Sequence, residues 1–469
     1  MQRKEWFLLI SAAFGTFLFS LDSSVVNLAI PVLSRHFGVG TSEISFVSTA
    51  FLLTVSSSLL LSAQLTKQFD FRKVVIGGHL IFLVSTIACG LSQDVWLLIF
   101  FRVLQGAGAS ILVIGGFNSV PRFLPAEWMG FGLGIISSSL AVGMVAGYPL
   151  GGFITAVLPW NYVFFLQVPL ILISLAMAWK SFPTAAAHRP VARNFDVAGA
   201  VLFFLMFCSL TFSTSMGEKI GWTSPSILSG FGFFLFFLVL LVRRELRIPY
   251  PFLDPAIFRN RTYSLVMSGR LFVGMLQYGN LFLFPFYLKY CQNMTQDRIG
   301  LLFLAYAISY IMLAPVSGVL ADRFKPTRVS AVALFLLLFS SLFFLCMADR
   351  PGQAWIAVYL FSLSAGFALF YPANNKYVVL IVPPDKRDAS VGIFTTVWIS
   401  GQSLGVSLFE LVFSTSLFLS AYSAHSIAGA FEKIAPGTLL GSFRLAYGAG
   451  AAVIVLGMIL IFAGFRTRK

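Results

Sequence analysis

Four charged side chains stand inside long apolar runs, and each needs a reason to be there: Asp22, Arg102, Arg270 and Glu410. A carboxylate moved from water into hydrocarbon favours its protonated form, and a neighbouring guanidinium favours its charged form. A pair whose separation changes therefore loads and releases a proton. Helix rise puts Asp22 about 22 Å above a cytoplasmic start near Trp6 or Phe7, and Arg102 about 10 Å below the outer face of a core roughly 30 Å thick. The two depths coincide, so Asp22 is the expected proton-coupling group and Arg102 its partner. The competing structural readings are a static pair that orients two helices, or a carboxylate capping backbone before Pro31. Arg270 falls only about 12 Å into the ninth run, where a cation faces a cavity or snorkels toward the cytoplasmic side. A cavity-facing Arg270 implies an anionic or zwitterionic group on the substrate. Glu410, about 28 Å into its run, is either a transport residue or a group at the outer water interface. Gln105 and Gln277 are the remaining candidates for the substrate cavity.

The elements that must hold these groups are membrane helices. Of 469 residues, 58% are hydrophobic and only 10% charged, with mean hydropathy +0.89, against about 25% charged in soluble domains. Fourteen apolar runs, from 6–30 to 441–465, reach the roughly 20 residues that a bilayer core requires. The net charge of +15 would suggest nucleic acid in a soluble chain. Here, with both ends inside, 23 of the 32 Lys and Arg fall in cytoplasmic loops and seven outside, so the positive-inside rule accounts for the charge and no nucleic-acid partner is expected. The basic start MQRKEW runs into a long apolar stretch and reads as an uncleaved first span.

Cys89, Cys208, Cys291 and Cys346 form no CxxC pair and read as buried free thiols; the four histidines stand singly. No metal site or cofactor is expected. The chain lacks a GxxxxGK[ST] phosphate loop and any HExxH or GxSxG motif, so it reads as a gradient-driven carrier and not as an enzyme.

A weak repeat is present. LSAQLTKQFDFRK at 61–73 and VSGVLADRFKPTR at 316–328 are both span ends running into basic turns, and Gly143-x-x-x-Gly147 recurs as Gly401-x-x-x-Gly405. Duplicated helical halves around a midplane site are a common transporter plan. The expected architecture is all-α: a six-helix bundle over 1–180, a linker with two extra spans over 181–260, and a second six-helix bundle over 261–469.

LDSSVVNLAIP at 21–31, FRVLQGAG at 101–108 and WNYVFFLQVPL at 160–170 resemble, in order, the first-, fourth- and sixth-span motifs of the fourteen-span drug:proton antiporters of the major facilitator superfamily. FDVAG at 195–199 and GVLADR at 318–323 are similar to its linker start and second-half loop. The resemblance implies rocking of two bundles driven by the proton gradient. It implies a tight fifth-span contact at Gly143, Gly147, Pro149, Gly151 and Gly152, where ordinary small-residue packing is the alternative. It also implies a gating turn at Asp322 and Arg323, with Asp322 pairing to loop arginines; a solvated topology-setting turn is the alternative.

Several departures stand out. Lys67 replaces the aspartate of the first-half loop and Asp70 its glycine, Tyr148 replaces a proline with Pro149 one place late, and Asn161 replaces an arginine and Gln167 an asparagine. The phenylalanines of FGFFLFFL at 231–238 read as lipid-facing.

The function expected is export of small, drug-like organic compounds across the inner membrane, with protons and the lipid bilayer as partners and an envelope adaptor left open. The alternatives are a dedicated exporter or importer of one metabolite or organic anion, and a transport-inactive receptor or scaffold. Topology is directly checkable: reporters fused after residues 220 and 350 are expected outside, and those after 190 and 255 inside. A cytoplasmic signal at 220 leaves a twelve-span protein.

Overall fold

The computed structural model describes residues 3–39, 41–183, 196–221, 223–248, 252, 256–294, 296–349, 352, 354–419 and 436–466. Among them fourteen helices are long and apolar enough to cross a membrane. They are α1 (Arg3–Phe37), α2 (Thr41–Gln68), α3 (Phe71–Gly90), α4 (Val95–Phe123), α5 (Met129–Val157), α6 (Tyr162–Ser181) and α7 (Val197–Ile220). The rest are α8 (Pro225–Glu245), α9 (Arg261–Tyr290), α10 (Gln296–Arg323), α11 (Pro326–Met347), α12 (Ala354–Ile381), α13 (Arg387–Leu419) and α14 (Pro436–Arg466). No described residue is in a strand. Caps mark several starts: Asp70, Asp94 and Asp196 each accept a backbone N–H of the following first turn, which satisfies donors that the helix itself leaves open.

The chain divides into two compact units, Met1–Ile257 with Val378–Thr396, and Phe258–Tyr377 with Val397–Lys469. In the first, α1 packs on α5, α4 lies against both α2 and α3, and α7 pairs with α8 and touches α2. In the second, α9 packs on α14 and α11 also meets α14.

The pattern of exposure inverts that of a soluble protein. Asp22, Arg102 and Arg270 are 0–1% exposed, whereas Phe233, Leu235 and Phe236 of α8 are 55–57% exposed, as lipid-facing residues of FGFFLFFL should be. The thiols divide: Cys89 is buried, Cys208 and Cys291 are half-buried and Cys346 is exposed, which corrects the expectation of four buried thiols. His79 is a packing residue, its Nδ1 on Val75 O at 2.8 Å and its Nε2 on Ser174 Oγ at 2.9 Å.

The extra helices are tied down within the first unit. Arg244 Nη2 donates to Asp196 Oδ1 at 2.7 Å, linking the end of α8 to the cap of α7, and Gln64 Nε2 donates to Phe252 O at 2.6 Å. Burial works against charge on Asp196, but the hydrogen bonds of Arg244 and Gly199 outweigh it and hold the carboxyl below its ordinary pKa.

Glycines set the closest helix approach. A Cβ at Gly143 would lie 2.5 Å from Phe17 O, and one at Gly147 2.5 Å from Ser24 Cβ; Ser20 Oγ donates to Leu140 O across the same contact at 2.6 Å. The second unit repeats the device. Gly401 and Gly405 of α13 press on the backbone of α9 at Leu271 and Met275. Gly151 is buried and Gly152 half-buried, and the side chain of Pro149 lies outside the described residues.

Gly143→Leu is expected to destabilise the protein by about 1–3 kcal/mol, the usual cost of overpacking, because its neighbour is backbone that cannot yield. Gly448→Ala, with nothing within 4 Å of the new carbon, is the control that should melt like the parent in detergent; equal melting temperatures for both variants would contradict the contact.

Candidate functional site

The first unit closes around Asp22. Arg102 Nη1 donates to Asp22 Oδ2 at 2.6 Å, Gln105 Nε2 to Oδ1 at 3.0 Å and Gln167 Nε2 to Oδ1 at 3.1 Å. Arg102 also donates to Gln105 Oε1 at 2.6 Å and to Val47 O at 3.1 Å, and its guanidinium sits 3.9 Å from the Phe51 ring centre. Gln105 reaches Thr86 Oγ1 at 2.8 Å. The local reasons are simple. Arg102 and Gln105 are three apart, hence on one face of α4. Asp22 lies one residue past Leu21, whose backbone abuts both Gly143 and Gly147.

One cluster thus joins α1, α2, α3, α4 and α6, and every contact named to Asp22 has it as acceptor, as an ionised carboxylate requires. Two donors and a guanidinium replace the water that burial removes. Gln167 contributes as much as Gln105, yet sequence reading noted it only as a departure from a motif. Its Oε1 is buried and makes no hydrogen bond among the described residues.

A second charged centre lies in the second unit. Arg270, fully buried, donates from Nη1 to Asn374 Oδ1 at 2.9 Å and stands 4.8 Å from the Tyr371 ring centre and 5.0 Å from that of Trp398. Tyr371 and Trp398 meet edge to face at 4.8 Å. One turn along α13, Gln402 Nε2 donates to Gln277 Oε1 at 3.1 Å. Arg270 and Gln277, two turns apart on α9, both face α13, whereas Gln105 belongs to the Asp22 cluster. Glu410 is only 5% exposed, so of its two expected settings the described protein surrounds it more closely than an open water interface would.

The sequence pattern of the Major Facilitator Superfamily matches residues 12–406 and 266–469. The chain belongs to that superfamily. It is 27% identical to the riboflavin transporter RibZ of Clostridioides difficile over 98% of this chain and 97% of that protein. It is 26% identical to the multidrug resistance protein Stp of Mycobacterium tuberculosis over 93% of this chain and 80% of that one, and 25% identical to the multidrug export protein EmrB of Haemophilus influenzae over 86% and 79%. The human organic anion transporter MFSD10 shares the fold, with TM-score 0.66 at 12% identity over 98% of this chain and all of that one.

In this superfamily member the turn after α10 has a partner on α12. Asp322 makes a 2.6 Å ion pair with Lys376 of α12, a residue that the sequence alone does not single out; Arg323 is exposed. Lys376 also donates to Ala321 O at 2.9 Å. In the first unit Arg122 donates in the same way to Thr66 O at 2.8 Å, and the next residue there is Lys67 where the second unit has Asp322. The halves share a backbone clasp, and in the second the Asp322 carboxylate joins it.

Both partners of the Asp322–Lys376 pair are under 10% exposed, so removing one takes a buried counter-charge from the other. Lys376→Met is expected to cost about 3 kcal/mol, and Asp322→Leu combined with it to restore part of the loss. Thermal melts of the two single variants and the double variant check this, and strictly additive losses would show that the pair is not coupled.

Proposed function

We propose that the protein is a proton-coupled secondary transporter that exports small organic compounds by alternating access. The observation that carries this reading is a fully buried carboxylate, Asp22, held by one guanidinium and two amides on two other helices. Superfamily membership supports transport, and the multidrug relatives support export.

When ionised, Asp22 accepts from Arg102, Gln105 and Gln167. When protonated, its new O–H requires an acceptor, and Gln167 supplies one by rotating its amide so that Oε1, which has no hydrogen bond among the described residues, faces Asp22. Arg102 then keeps Val47 O, Gln105 Oε1 and the Phe51 ring but loses its counter-charge. Protonation thereby loosens α1 from α4 while preserving a hydrogen bond to α6. A neutral carboxyl group is also easier to move past apolar surface, so the loaded and unloaded states favour different helix arrangements.

A second reading, a dedicated carrier of one metabolite, is favoured by the similarity to RibZ along almost the whole of both chains. Substrate breadth separates the two: deletion or overproduction should change resistance to several unrelated compounds for an exporter of wide range, and to none or one for a dedicated carrier.

Coupling is tested in liposomes with a pH-sensitive dye. Asp22→Asn imitates the protonated state permanently and is expected to abolish substrate-induced proton movement with insertion and neutral-substrate binding retained, whereas Asp22→Glu keeps some flux. Undiminished proton flux in Asp22→Asn would return Asp22 to a purely structural role.

A further inference from the structure

The proton cycle uses only the first unit's cluster and leaves Arg270 unexplained. A guanidinium at mid-membrane depth costs several kcal/mol unless its surroundings repay it, and what surrounds this one is a particular chemical set. Tyr371 and Asn374 are three apart and share a face of α12; Trp398 and Gln402 are four apart and share a face of α13. Gly274 of α9 lies so near Trp398 O that a Cβ there would be 2.9 Å away, which holds α9 and α13 close at this level. The outcome is two tiers. Arg270 and Asn374 meet the Tyr371–Trp398 corner in one, and the Gln277–Gln402 amide pair forms the other.

Asn374 is fully buried, and while its Oδ1 is engaged by Arg270, its Nδ2 has no acceptor among the described residues. A buried donor without an acceptor is costly, and this one adjoins the guanidinium. A ligand edge carrying acceptors and negative charge answers both groups, since guanidinium and amide N–H are donors only. The aromatic corner answers a flat ring, which stacks on indole or phenol at favourable offset geometry. A cationic drug meets repulsion from Arg270, and inorganic phosphate gains nothing from the rings.

We propose that the second unit carries a recognition site for planar aromatic organic anions, formed by Arg270, Asn374 and the Tyr371–Trp398 corner. The proposal rests on the transport reading but not on proton coupling. Because Arg270 is fully enclosed here, the ligand reaches it only when the helices around it part, and the Gln277–Gln402 bond on the next turn is a contact that such opening would break. Arg270 is then the residue that selects substrate charge, and Trp398 the one that selects flatness.

The test uses two planar fluorescent dyes of opposite charge, fluorescein and ethidium, with full-length protein in detergent and fluorescence anisotropy as the readout. The parent is expected to bind fluorescein. Arg270→Gln and Asn374→Leu should weaken it about tenfold or more, as loss of a hydrogen bond to a charged group implies, and Arg270→Lys should weaken it less, keeping charge without the planar fork. Ethidium affinity should not fall in any of these variants. If Arg270→Gln does not purify as a monodisperse protein, Asn374→Leu and Trp398→Leu decide the matter in its place. No fluorescein binding by the parent, or parent-like fluorescein affinity in the substituted proteins, overturns the proposal. Fluorescein binding by a parent that moves no protons in liposomes would overturn the coupling reading alone and leave this site standing.

Discussion

A charge buried away from water must be paid for by its neighbours, and the arrangement of the first unit follows from how Asp22 meets that demand. Its oxygens take one guanidinium and two amides, and the guanidinium is in turn held by a backbone carbonyl, a glutamine and an aromatic face. These groups arrive on separate helices, so the helices can occupy only those positions in which every partner reaches. A buried pair of this kind contributes little net stability compared with well-packed apolar residues, but breaking it is expensive. Its effect is to specify a packing, and on the proposed reading the cost of that packing depends on one proton, which makes it a switch.

Close helix approach makes such a network possible. Where α5 crosses α1, glycines remove the side chains that would hold the backbones apart, and van der Waals contact and serine hydroxyls take their place. In hydrocarbon there is no hydrophobic drive between helices, so surface fit and polar contacts decide which faces meet. The same device recurs between α13 and α9, and the clasp of Arg122 on Thr66 O recurs as that of Lys376 on Ala321 O. The halves are copies in their packing.

They differ in their chemistry. The first unit buries a carboxylate and the second a guanidinium beside an aromatic corner. On the proposed reading this is a division of labour: the group that exchanges a proton sits in one bundle, and the group that recognises the charge and shape of an organic substrate sits in the other. Two sites in separate units avoid competition for one pocket, and coupling then requires only that both clusters favour the same conformational state.

The sequence by itself determined that the chain is all-helical, crosses the membrane fourteen times and carries Asp22, Arg102 and Arg270 within its spans. The physical reason is that a span needs a fixed length of apolar residues, and ionisable side chains within it are rare enough to stand out. It did not determine which neutral polar residues matter. Gln167, Thr86, Asn374, Tyr371 and Trp398 look like any other residue of an apolar run, and Lys376 like one more loop cation. The usual guide to an inward face fails here, because a helix with lipid on one side and protein on the other is apolar all round and shows no amphipathic period. Glu410 was left open between two readings for the same reason, since depth along a helix says nothing about which side it faces. Only the tertiary structure, by fixing the rotation of each helix about its own axis, decided that Gln167 turns toward Asp22, that Asp322 takes Lys376 as its partner, and that Arg270 is set against Tyr371 and Trp398.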